Sequence, residues 1–177
     1  MTEIIYYVAA SLDGYIATPD GSIDWLAAYN VEDEDYGFSA FYQSVDALVE
    51  GSKTYEQALG FGAWPHPGKP CWVCTRRSFE TKHAEVTFTS ASPQDVVAEL
   101  RRRQFGRVWL VGGAQLAASF RSHRLIDQYV VSVVPTLLGS GIPLFGAASP
   151  QEKLKLDECK QYSTGLVQLS YMRDGSA

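Results

Sequence analysis

Arg107-Val108-Trp109-Leu110-Val111-Gly112-Gly113-Ala114-Gln115-Leu116 decides how this chain is read. Its first half is a short apolar run of strand type. Two glycines follow at once, and a helical pattern begins with Leu116, Ala117 and Phe120. A strand that turns through Gly-Gly into a helix lets the backbone approach a ligand with no Cβ in the way. It also aims the unpaired N–H groups of the helix start at that ligand, and an anion is the favoured occupant. Phosphate or pyrophosphate is therefore one reading of the turn. A tight connection in which glycine is only sterically convenient is the other.

The same grammar recurs on either side of this stretch. Ile4 to Ala10 is apolar without alternation, as in a strand buried on both faces, and Ser11-Leu12-Asp13-Gly14 breaks it. Val45 to Glu50 forms a second strand. Gly51-Ser52-Lys53-Thr54 ends it and opens a helix through Tyr55 and Leu59. Cys71 to Thr75 is a third strand, ending in Arg76-Arg77-Ser78. Its two arginines and flanking hydroxyls suit a phosphate monoester, or simply a solvated basic turn. Ser92-Pro93-Gln94-Asp95 is a helix start, with Ser as cap and Pro at the first helical position. Arg101-Arg102-Arg103 suits that helix's C-terminus. Tyr129 to Val134 is another apolar run, and residues 135–145 read as a Gly/Pro-punctuated loop. Leu154 to Tyr162 and Leu166 to Met172 are β-rich, joined as a hairpin by Ser163-Thr164-Gly165.

Such alternation predicts an α/β fold: a mostly parallel sheet with helices on both faces and a C-terminal antiparallel hairpin. Ligands of such sheets bind outside the carboxyl ends of the strands. Ala9 to Ile16, Gly51 to Thr54, Thr75 to Ser78 and Gly112 to Gln115 all fall at such ends, and together they describe an extended ligand with more than one phosphate. Neither a P-loop nor the dinucleotide G-x-G-x-x-G fingerprint is present.

The 177 residues fit one domain, spanning 1–177, with 46% hydrophobic and 20% charged residues. The formal charge of −5 argues against general nucleic-acid binding. No apolar run approaches a membrane span, and the N-terminus does not read as a signal peptide. Cys71, Cys74 and Cys159 suggest a reducing, cytoplasmic setting. Cys71 and Cys74 match C-x-x-C, but residues three apart on a strand face opposite ways, so no metal site is expected. The acidic patch Glu32-Asp33-Glu34-Asp35 precedes a helix face of Phe38, Phe41 and Tyr42. It reads as a solvated helix start, or as a carboxylate facing an aromatic pocket.

Together the quoted motifs resemble the dihydrofolate-reductase-like superfamily, most closely the reductase domain of the bifunctional riboflavin-biosynthesis deaminase–reductase and its stand-alone relatives. Ala10-Ser11-Leu12-Asp13-Gly14-Tyr15-Ile16-Ala17 is similar to S-L-D-G-x-I-A, and Gly51-Ser52-Lys53-Thr54-Tyr55-Glu56 to G-R-K-T-Y-E. Val111-Gly112-Gly113 resembles V-x-G-G. Leu125-Ile126-Asp127 with Val134 to Phe145 is similar to L-I-D-E followed by P-x-x-L-G-x-G-x-P-L-F. The likeness runs from about Ile4 to Met172. The zinc signature of the deaminase, H-x-E followed by P-C-x-x-C, is absent.

The resemblance implies a three-layer dihydrofolate-reductase-like fold that binds NADPH in extended form. Gly112, Gly113, Ala114 and Gln115 would face the pyrophosphate, with Lys53 and Thr54 on a second helix start, and Val111, Leu116, Gly51 and Ser52 would complete the cofactor-binding set. Thr75, Arg76 and Ser78 would hold the 2′-phosphate, while Ala10, Asp13, Gly14, Tyr15 and Ile16 would border the nicotinamide. A substrate pocket would lie near Trp25, Tyr36 and Phe41, with Asp35 as proton donor. Ser52 stands where the motif has Arg, removing one phosphate-pairing charge. A homodimer is also implied. The expected activity is NADPH-dependent reduction of a small heterocycle, of the ribosylaminopyrimidine type or a related compound. Dihydrofolate reduction, a non-catalytic NADP(H)-binding protein and an unrelated doubly wound domain are the competing readings.

Overall fold

The computed structural model describes residues 1–81, 83–146 and 150–175. Its centre is β1 (Glu3–Ser11), whose apolar run lies between β6 (Arg107–Gly112) and β7 (Gln128–Val134), parallel to both. β3 (Ala47–Gly51), β4 (Cys71–Cys74) and β5 (Val86–Thr89) continue the parallel set outward from β6. On the other side β10 (Val167–Arg173) runs antiparallel to β7, and β9 (Leu154–Gln161) forms the outer edge. The order of this eight-stranded sheet is β5-β4-β3-β6-β1-β7-β10-β9. The mostly parallel sheet and its terminal hairpin are as the sequence predicts.

Two helices cover each face of the parallel half. α3 (Pro93–Arg102) and α4 (Ala114–Ser122) set Val96, Val97, Leu100, Ala117 and Phe120 into a core with Ile4, Tyr6, Val49, Trp72 and Leu110. On the opposite face α1 (Phe38–Ser44) and α2 (Ser52–Gly60) bring Phe41, Tyr42, Tyr55 and Ala58 against Leu48, Cys71, Val73 and Trp109. Side chains alternate between faces along each strand, which is why neighbouring residues such as Leu48 and Val49 belong to different cores.

The segment read as a plain loop at 135–145 contains a strand. β8 (Ile142–Pro143) pairs with β2 (Tyr15–Ala17) in a separate two-stranded ribbon. Gly141 is necessary there, since a Cβ on it would stand 2.2 Å from the Ala17 carbonyl oxygen.

Candidate functional site

β3 and β6 are neighbours in the sheet, so their two strand–Gly–helix junctions lie side by side. A Cβ added to Gly51 would stand 3.6 Å from both the Gly112 oxygen and the Gly113 nitrogen, and one on Gly113 would stand 3.3 Å from Thr54 Oγ1. Gly112 has φ +120°, a conformation that side-chain-bearing residues rarely adopt, and the Gly112–Gly113 peptide is cis. Neither α2, preceded by Gly51, nor α4, preceded by Gly113, has a side-chain cap. By contrast, α3 is capped by Ser92 Oγ, which accepts from the Asp95 N–H at 3.2 Å. Two uncapped helix starts therefore present N–H groups and positive dipole ends at one place, an arrangement suited to an anion.

A cleft of about 590 Å³ opens beside this cradle, with Ser52, Thr75, Arg76, Ser90 and Leu116 among its walls. Ser78, expected among them, is exposed and not part of the wall; Arg77 is. The Thr75 hydroxyl accepts the Arg77 N–H at 3.0 Å, and the Arg77 side chain reaches back to Glu56 on α2 at 2.6 Å. Lys53 and Gln115 are exposed on the first turns of α2 and α4.

Two members of the expected nicotinamide border do other work. Ala10 is 1% exposed, with its methyl in the core, so only its backbone is available to a ligand; Ala9 takes the opposite face. The Asp13 carboxylate accepts from Ser11 Oγ at 2.6 Å, Leu138 N–H at 3.1 Å and Gly139 N–H at 2.7 Å. These bonds, the Ser11 one foremost, hold Asp13 below the usual carboxylate range. Asp13 thus straps the exit of β1 to the loop before β8. Gly14 joins that strap through its carbonyl, which accepts the Leu144 N–H at 2.8 Å, while half-buried Tyr15 and Ile16 begin β2.

On the α1 face two of the three expected substrate residues, Tyr36 and Phe41, come together around Tyr7, and Trp25 does not join them. Phe41 stacks on Tyr7 with ring centroids 4.2 Å apart, and Trp109 closes on both edge-on. Tyr36, at φ +54°, turns the chain into α1. The Gln168 amide nitrogen on β10 lies 3.3 Å from the Tyr36 carbonyl, 3.1 Å from the Tyr7 hydroxyl and 3.0 Å from Ser132 Oγ. Tyr162 also donates to the Tyr36 carbonyl, at 3.0 Å, while the Tyr36 hydroxyl donates to the Tyr29 carbonyl at 2.6 Å. Burial raises the Tyr7 pKa, so this phenol keeps its proton at neutral pH. Trp25 is half-buried in a 3-10 turn, Asp24–Tyr29, and its indole N–H has no partner among the described residues.

Asp35 takes the helix-start reading of the acidic patch. Its two oxygens accept the N–H groups of Gly37 at 2.8 Å and Ser39 at 3.0 Å, at the start of α1. Hydrogen bonding to Ser39, then to Gly37, holds the exposed carboxyl below its ordinary range. It is a charged acceptor at neutral pH, so the geometry gives Asp35 a helix cap's role in place of a proton donor's.

Glycine cradle and basic cleft thus border the carboxyl ends of adjoining parallel strands, while the aromatic wall lies on the α1 face of β1 and β6. A family model described as the RibD C-terminal domain matches residues 64–168. The chain belongs to the RibD C-terminal domain family. Among RibD-related structures, a Shewanella sp. PV-4 protein named for riboflavin biosynthesis is 32% identical, with a TM-score of 0.88 over 97% of this chain and 99% of that one. The uncharacterized protein YwjB of Bacillus subtilis is 39% identical over 97% of this chain and 98% of its own length. The Thermotoga maritima deaminase/5-amino-6-(5-phosphoribosylamino)uracil reductase shares the fold, with a TM-score of 0.74, at 15% identity. That match covers 97% of this chain and 56% of the bifunctional one. Membership in the RibD family supports a reductase-like role.

Proposed function

We propose that this RibD-family protein is an NADPH-dependent reductase of a small heterocyclic substrate, of the ribosylaminopyrimidine type or a related compound. The observation that carries the reading is the convergence of two uncapped helix starts at Gly51 and Gly113, beside a cleft walled by Arg76. The absence of Cβ atoms on those glycines fits a diphosphate, and the arginine fits the further phosphate that separates NADPH from NADH. Bound there, NADPH supplies the hydride. Backbone N–H groups of α2 and α4 hold its diphosphate, and Thr75 and Arg76 hold the 2′-phosphate. The wall of Tyr7, Phe41 and Trp109 shields the reacting face from water.

Titration with NADPH and NADH, followed by quenching of the tryptophans, tests this directly. NADPH is expected to bind about tenfold or more tightly than NADH, the worth of one charge-assisted phosphate contact. Binding of neither nucleotide would remove the reading. The capping role of Asp35 favours one competitor, a non-catalytic NADP(H)-binding protein. Hydride transfer from added NADPH to a ribosylaminopyrimidine separates the two.

We also propose a homodimer in the cytoplasm. The apolar side of β10 is its less buried side: Val167, Leu169 and Tyr171 are half-buried while Gln168 and Ser170 are buried. Register carries this face to Val133 and Val131 on β7 and to Cys159 and Leu156 on β9, where Leu156 is 51% exposed. A second copy seated on this face would bury it. Leu169→Asp is expected to yield monomers by sedimentation at concentrations where the wild type is dimeric; a monomeric wild type would refute the dimer. The three free thiols suit a reducing compartment.

A further inference from the structure

The cleft presents two adjacent arginines whose surroundings differ. Arg76 is exposed and has no acidic partner among the described residues. Arg77 is committed: its Nη2 lies 2.6 Å from Glu56 Oε2, and its guanidinium lies over the Phe79 ring, 4.8 Å from the centroid. Glu56 is on α2, four residues after Ser52, and so belongs to the helix whose start forms half of the glycine cradle. Its carboxyl is held below the usual range by the Arg77 hydrogen bond and by the charges of Arg77 and Lys53. One carboxylate therefore neutralises Arg77 and draws on the field of Lys53, and Ser52 adds no cation where the family motif carries Arg. Arg76 is left to meet an anion in the cleft unopposed.

We propose that Glu56 is a specificity-determining residue that withholds Arg77 from the cofactor's 2′-phosphate and leaves Arg76 to read it. The proposal rests on the NADPH reading above. Its physical basis is competition for one guanidinium. An arginine paired with a carboxylate forms a unit with little net charge at a distance, and moving it to a phosphate means breaking both the pair and the ring contact. A carboxylate behind the cleft also opposes any phosphate entering it. Glu56 thereby limits how strongly the cleft favours a phosphorylated nucleotide, acting on affinity without lining the cradle.

The test is a set of dissociation constants for NADPH and NADH with wild type, Glu56→Gln, Arg76→Ala, Arg77→Ala and the Glu56→Gln/Arg77→Ala double variant. Glu56→Gln is expected to tighten NADPH about two- to five-fold, the scale of one screened charge at this range, with NADH unchanged. Arg77→Ala in that background should cancel the gain, while Arg77→Ala alone, which leaves the Glu56 charge without its partner, should weaken NADPH about two- to five-fold yet keep a preference over NADH. Arg76→Ala should abolish the preference. In parallel, the Glu56 carboxyl carbon followed by NMR should titrate below the ordinary glutamate range in wild type and rise toward it in Arg77→Ala, where only Lys53 still lowers it. NADPH bound by the wild type but not tightened by Glu56→Gln, or an Arg77→Ala variant that loses preference as Arg76→Ala does, overturns the proposal alone. A wild type that binds neither nucleotide overturns the parent reading and this one with it.

Discussion

Gly113→Val is expected to weaken NADPH binding about 100-fold, or about 2.7 kcal/mol, while the protein still folds. Gly113 has φ −76° and ψ −167°, an extended conformation that valine adopts freely, so the backbone tolerates the change. Space does not. The first added carbon already stands 3.3 Å from Thr54 Oγ1, closer than most Cβ contacts, and valine's methyls extend further between the starts of α2 and α4. A phosphate there must reach the N–H groups of both helices, and each charge-assisted bond lost costs about 1.5–3 kcal/mol. Loss of roughly one to two such bonds sets the expected scale. The measurement is the NADPH dissociation constant by tryptophan quenching, alongside a urea melt that reports folding. A folded Gly113→Val protein that binds NADPH like the wild type would mean the cradle holds no phosphate.

This prediction concerns the part of the molecule most legible in the sequence. Strand–Gly–helix junctions are local: a strand-type run, a residue without a Cβ and a helical period are all visible within ten positions. The Ser92 cap with Pro93 behind it is equally local, and it forms as read. What could not be read depends on partners distant in the chain. The alternation of Val167-Gln168-Leu169-Ser170-Tyr171 states that two faces differ but not which is covered. Here α1 and the turn at Tyr36 cover the polar face, so Gln168 is buried and bonded to Tyr7, 161 positions away.

The acidic patch shows the same limit from the other side. Asp35 reads from local sequence as charge at a helix start, and its bonds to Gly37 and Ser39 are of that kind. The proton-donor role comes to it from family resemblance alone, and local hydrogen bonding claims the carboxylate instead. The resemblance takes Thr75, Arg76 and Ser78 and leaves out Arg77, whose side chain goes to Glu56 on another element. The backbone of the glycine cradle is thus legible in the sequence, whereas the polar wiring of the aromatic wall is not.

Glu50 is the sharpest case of what sequence pattern conceals, and it carries a large stability effect. It occupies the residue before Gly51 on β3 and is fully buried. Its Oε1 accepts a weak hydrogen bond from the Cys71 thiol at 3.5 Å, and Oε2 has no partner among the described residues. Burial pushes its pKa up to about 7 from 4.5, with the thiol bond offsetting a small part. The folded protein thus binds a proton between pH 4.5 and 7 that the unfolded chain has released. The stabilisation is fully present below pH 4.5 and is lost as pH rises through 7, about 3 kcal/mol in all. Buried His66 acts oppositely: burial lowers its pKa to about 4, so it adds stability as pH rises from 4 toward 6.5. The wild-type pH profile therefore mixes two signs, and Glu50→Gln isolates one of them. Relative to wild type, the variant is expected to gain about 3 kcal/mol between pH 4.5 and pH 8 in urea melts. Comparing the two proteins at both pH values removes the fixed cost of burying the amide. Parallel wild-type and variant profiles would show that Glu50 is ionised in the folded state across this range, and that the strand leading into the glycine cradle carries a buried charge.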